Sequence, residues 1–132
     1  MSTQASATFE VTNWDEKPYD EVDGGPKLSR ATVTKTFHGD IEGSARVEYL
    51  MVHGTDGTAS FVGIERISGK LGAKSGSFVL EHLGSFEGGI AKATCRIIGG
   101  SGTGELTGLQ GEGSFEAEGM KAPFALDYEF VK

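Results

Sequence analysis

Glycine spacing constrains what this chain can fold into more than any other feature. Residues 99–115 read GGSGTGELTGLQGEGSF, and residues 69–78 read GKLGAKSGSF, a looser echo. Glycine makes up 21 of 132 residues, about twice the usual share. The glycines separate segments of alternating apolar and polar residues, so they read as turns, bulges and close backbone approaches in β-structure. No three-residue period supports a collagen helix. Phe, Val, Leu and Ile punctuate the chain too regularly for a disordered linker.

Eight segments alternate with period two between turn residues, over Ala5–Glu16, Leu28–His38, Ser44–His53, Thr58–Gly69, Ser77–Phe86, Ile90–Ile98, Glu112–Glu118 and Ala122–Val131. No window carries a long helical repeat, and Gly104–Leu109 is the one place for a short helical turn. The longest break is Lys17–Lys27, centred on Asp23-Gly24-Gly25-Pro26. Eight strands joined by tight turns predict an all-β fold: an antiparallel up-and-down barrel, which leaves no bare edge. Residues 1–132 are read as one domain, long enough to bury a core without staples.

Side-chain parity can be carried along this pattern. His53-Gly54-Thr55-Asp56-Gly57-Thr58 predicts a three-residue hairpin with Gly57 in the left-handed conformation. Met51 then faces Phe61, Tyr49 faces Gly63 and Val47 faces Glu65. The aromatic-bearing parity gives an inward set: Phe9, Val11, Val33, Phe37, Val47, Tyr49, Met51, Phe61, Ile67, Phe78, Leu80, Phe115, Phe124, Leu126, Tyr128 and Phe130. Lys35 breaks that pattern and calls for a bulge or an end-facing position. Leu50, Val52, Val62 and Ile64 fall on the outer parity, where an apolar patch points to a subunit contact. Trp14, in NWDEKPY, opposes the parity of Phe9 and Val11; it is either an outer-face interface residue, the preferred reading, or a plug at the barrel end.

Two ionisable groups, Glu65 and His82, share the inward parity. If Ile67 pairs with Leu80 across a Gly69–Gly76 connection, Glu65 lies directly opposite His82. A carboxylate beside an imidazole in an apolar interior can act as an acid–base pair, orient a polar ligand, or serve as a satisfied cross-strand pair. His38 and His53 end strands beside glycines and form no metal-binding spacing with His82, so neither a metal nor a cofactor is expected. Gly102-x-Gly104 lacks the βαβ context and the Lys-Ser/Thr of phosphate-binding loops.

Composition narrows the function classes. A formal net charge of −7 disfavours nucleic acid. Cys95 is the single cysteine, so no intrachain disulfide is available, and its setting in IAKATCRII reads as a small buried hydrophobe. The N-terminal MSTQASATFEV shows neither a basic region nor an apolar run of a secretory signal. No stretch approaches the roughly 18 apolar residues of a membrane helix. A cytoplasmic protein without a membrane partner is the expectation.

The runs NWDEKPYDE, GGPKLSRATVTKTFHGDIEGSARVEYLM, GKLGAKSGSFVLEHLGSFEGG and SGTGELTGLQGEG, in that order, resemble a bacterial family of unknown function with an allene oxide cyclase-like barrel. SGTGELTGLQG is also similar to the G-T-G-x-x-x-G turn of plant allene oxide cyclases and dirigent proteins. The resemblance implies a small eight-stranded antiparallel barrel, an oligomer, and an interior that holds apolar small molecules. It assigns no catalytic residue: Glu10 and Asn13 lie near the early-strand positions of the cyclases' acidic residue and water-binding cluster but do not match them residue by residue. The leading expectation is a homodimeric module binding a small, mostly apolar molecule, with Glu65, His82, Tyr49 and Tyr128 as polar handles and Phe61 and Phe78 as apolar lining. An isomerase or cyclase using Glu65 and His82 as acid and base, and an interaction protein with a filled core, are the alternatives.

Overall fold

The computed structural model describes residues 2–131. Eight antiparallel strands close into a barrel in chain order: β1 (Thr3–Asp20), β2 (Lys27–Gly39), β3 (Ile41–His53), β4 (Ala59–Leu71), β5 (Lys74–Glu87), β6 (Ile90–Ile97), β7 (Leu109–Ala117) and β8 (Lys121–Phe130). A 3₁₀ turn at Gly104–Leu106 is the only helix among the described residues, so no helix there is long and apolar enough to cross a membrane. Period-two alternation sends one face of every strand inward. The inward set expected from parity is buried, with Val11, Tyr128 and Phe130 partly buried and packed against the rest.

The β3–β4 hairpin has the expected register: Met51 pairs with Phe61, Tyr49 with Gly63 and Val47 with Glu65, and Gly54 N–H bonds to the Thr58 carbonyl. Gly57 has a φ of +87°. The next hairpin differs from expectation. Ile67 pairs with Phe78 and Glu65 with Leu80, so His82 lies opposite Gly63 rather than Glu65. The turn is Gly72-Ala73, and the strands run on through a Gly69–Gly76 pair. Those two glycines serve close packing: a Cβ on Gly69 would strike the Glu42 carbonyl, and one on Gly76 the Thr103 carbonyl. Tight turns and tight packing both demand glycine, so the composition alone could not separate them.

Two departures occur in β1. The strand continues to Asp20, leaving only residues 21–26 as the loop. A register shift between Val11 and Asn13, a bulge at Thr12, moves the inward parity from odd to even positions. Trp14 and Glu16 therefore face inward at the barrel end, and Trp14 is not an outer-face residue. Lys35 needs neither a bulge in β2 nor an end-facing position: β2 stays regular, and Lys35 points inward with Val33 and Phe37, buried and paired with Glu65.

The two ends are unlike. The β6–β7 connection runs beside the first half of β5, where Thr103 N–H bonds to the Ser77 carbonyl and Ser101 Oγ accepts the Val79 N–H. Ile41, Leu71, Leu106 and Leu109 are buried at that end and fill it. The opposite end carries the short loops 21–26, 54–58, 88–89 and 118–120, and there the interior opens.

Candidate functional site in the barrel interior

A cavity of about 390 Å³ occupies the open end. Phe9, Val11, Trp14, Tyr49, Met51, Phe61, Phe86, Phe115 and Met120 line it, with Ala59, Ala91 and Ala117 leaving the room between them. Two glycines shape this wall. Tyr49 lies over Gly63 and Phe61 over Gly84, and a Cβ at either glycine would collide with the ring. The Tyr49 ring meets Phe61 edge-on at 5.1 Å and His82 edge-on at 5.5 Å, and stacks on Trp14 at 6.1 Å.

At its inner end the cavity reaches Lys35, the outermost member of a buried polar chain. Lys35 Nζ lies 3.3 Å from Glu65 Oε2, and Glu65 Oε1 accepts a 2.7 Å hydrogen bond from His82 Nε2. His82 Nδ1 lies 3.6 Å from Cys95 Sγ. All four residues are buried. With Nε2 donating to Glu65, Nδ1 is left to accept a hydrogen bond from the Cys95 thiol. Burial pushes the Glu65 carboxyl up, but the Lys35 charge and the His82 hydrogen bond outweigh it, so the group sits below the ordinary carboxylate range. Burial, reinforced by the Glu65 charge, raises the Tyr49 hydroxyl well above its usual value and pushes the Cys95 thiol up to about 12. Cys95 is thus a protonated core group with no nucleophilic character.

A second imidazole–carboxylate pair stands at the mouth. Glu16 Oε2 accepts from His53 Nε2 at 2.6 Å and from Ser29 Oγ at 2.7 Å, and Oε1 accepts from Trp14 Nε1 at 2.9 Å. Partial burial pushes the Glu16 carboxyl up, and these three donors more than offset it. Glu16 and His53 both line the cavity.

The residues expected to form the site are partly brought together. Tyr49 and Phe61 line the cavity; Glu65 and His82 are buried outside its lining, His82 against the Tyr49 and Phe115 rings and Glu65 against Lys35; Phe78 is buried opposite Ile67. Tyr128 is half-buried at the closed end near the Gly72 turn. Neither Phe78 nor Tyr128 lines the cavity. Glu65 meets His82 although the two are not directly opposed, because diagonal neighbours in an antiparallel pair remain within reach of long side chains. Lys35, Glu16 and Ser29 were not expected in the site. The break in parity at Lys35 was the available signal for the first, whereas the Thr12 bulge conceals the orientation of Glu16. No set of three or more His, Cys, Asp or Glu side chains among the described residues is arranged to hold a metal ion.

The architecture defines a class: a small closed barrel with one end plugged and an apolar, ionically floored cavity at the other. Residues 5–129 match the family described as DUF3224, protein of unknown function, and the chain belongs to that family. It is similar to the crystal structure of a protein with unknown function from the DUF3224 family of Shewanella oneidensis MR-1, with 29% identity, a TM-score of 0.82 and 100% of each chain covered. No curated protein matches it.

Proposed function

We propose that this protein binds a small, mostly apolar molecule in the open end of the barrel. The cavity carries the reading. Its volume of about 390 Å³ lies within the roughly 300–1,000 Å³ of small-molecule sites, and its wall combines aromatic and aliphatic surface with a few placed polar groups. A filled-core interaction protein has no use for such a space. The use of a barrel interior for an apolar guest is also what the resemblance to allene oxide cyclase-like proteins implies. An isomerase or cyclase with Glu65 and His82 as acid and base has less support, because neither side chain lines the cavity, whereas Lys35 does.

Trp14 is the single tryptophan, and it stands at the mouth stacked on Tyr49. Titration with the uncharged fluorophore N-phenyl-1-naphthylamine should therefore give saturable quenching of Trp14 with energy transfer to the probe. Ala117→Phe, which fills the cavity from its wall, should weaken binding by about tenfold or more, equivalent to about 1.4 kcal/mol. No saturable signal in the parent protein, or an unchanged affinity in a folded Ala117→Phe variant, rejects the reading.

We further propose that two copies associate through the outer face of β3–β5. Leu50, Val62 and Leu83 form one row across the three strands, flanked by Val52 and Ile64, and all five are exposed. Arg30, Arg46, Glu48 and Glu81 supply both signs of charge around it, which suits the self-complementary contact of a two-fold dimer.

A further inference from the structure

The deepest polar group the cavity reaches is the Lys35 ammonium, and its surroundings restrict what can end there. An ammonium has three N–H donors. Glu65 Oε2 lies on one side at 3.3 Å, and the rings of Phe9 and Phe115 lie 4.2 and 5.2 Å from Nζ. Glu65 Oε2 itself is fully buried and makes no aligned hydrogen bond among the described residues. The pair is therefore balanced in charge but short of hydrogen-bonding partners, and the ammonium is the member that borders the cavity. The field at the mouth adds a second restriction. Asp20, Glu21, Asp23, Asp56, Glu87 and Glu118 lie on loops or strand ends of the open end, against Lys17, Lys27 and Lys121. Anions approaching this end are repelled.

We propose that the bound molecule is uncharged and carries a carbonyl oxygen at its inner end, as in a medium-chain ketone, aldehyde or ester, accepting a hydrogen bond from Lys35 Nζ. This assignment rests on the binding reading above. A carboxylate in that position would place a second negative charge beside Glu65 with one ammonium between them, against largely apolar walls. A cationic head would meet the ammonium directly. A plain hydrocarbon would leave an N–H of Lys35 facing apolar surface. A neutral carbonyl supplies the missing acceptor without disturbing the charge balance.

The test uses three probes of one chain length, 2-decanone, decane and decanoate, each displacing N-phenyl-1-naphthylamine at neutral pH. In the parent protein 2-decanone should bind about tenfold or more tightly than decanoate. In Lys35→Met/Glu65→Gln, which removes both charges together, 2-decanone should weaken about tenfold while decane changes less than about twofold. The infrared carbonyl stretch of 2-decanone should lie lower when bound to the parent protein than in hexane, and this measurement decides the matter if the double variant does not fold. Decanoate binding as tightly as 2-decanone, equal losses for 2-decanone and decane, or an unshifted carbonyl stretch overturns the assignment while decane binding keeps the cavity reading intact. If no probe binds, both readings fall.

Discussion

Glu65 is the residue on which the buried chain depends, since it alone contacts both Lys35 and His82. Removing one member of a buried ion pair strands the other, so Glu65→Gln or Lys35→Met alone should cost about 3–5 kcal/mol in urea denaturation, whereas Lys35→Met/Glu65→Leu/His82→Phe should recover most of that loss. The pH dependence has a definite sign. The folded-state pKa of Glu65 lies below its ordinary value, so its contribution is complete above the unfolded pKa of about 4.3 and disappears as pH falls through the lower folded value. Glu65→Gln should therefore be less stable at neutral pH and lose stability less steeply on acidification; parallel acid limbs would contradict the electrostatic account. Cys95, with its thiol pushed up to about 12, should react with iodoacetamide at neutral pH only at the rate of unfolding. Parity sufficed to place Glu65 and His82 inside, because alternation is rigid within a regular strand. The mouth pair of Glu16 and His53 was not legible, since one bulged residue, Thr12, reverses the parity of β1 from Asn13 to Pro18, where a second register shift follows.

At the level of elements, the glycines divide by the work they do. Gly57 has a φ of +87° with no atom near a would-be Cβ, whereas a Cβ on Gly43 would strike the Ser68 carbonyl and lies against Gly69 of the paired strand. Gly57→Ala should thus cost only the strain of a left-handed non-glycine residue, about 1–2 kcal/mol. Gly43→Ala must move backbone in two strands and should cost more, with partial loss of β-structure by circular dichroism a further expected sign. Comparable midpoints for the two variants would refute this division. Strand positions were readable to within a few residues because apolar alternation and turn residues both mark them. The β4–β5 register was not, because GKLGAKSGSF offers three glycines that could close a hairpin, and only the packing of Gly69 and Gly76 against neighbouring carbonyls identifies Gly72-Ala73 as the turn.

At the scale of the whole molecule, the two faces of β3 and β4 differ in what they present, and the period of two keeps them separate. Tyr49, Met51 and Phe61 face the cavity while Leu50, Val62 and Ile64 alternate with them on the outside. A barrel closed by hydrogen bonds in chain order has no free edge through which copies could join, so the proposed association uses a face, and this outer face is rich in exposed aliphatic side chains. The parent protein should sediment as a dimer at micromolar concentration. Val62→Glu/Ile64→Glu should shift it to monomer, since four buried carboxylates would then crowd the two-fold contact without partners. Because neither side chain reaches the interior, that variant should keep the parent affinity for N-phenyl-1-naphthylamine within about twofold, a difference of about 0.4 kcal/mol. A monomeric parent, or a variant that remains dimeric, eliminates this face as the interface. Loss of probe binding along with dimerisation would instead mean that the cavity takes its shape from the assembled pair, a dependence that the single closed barrel argues against.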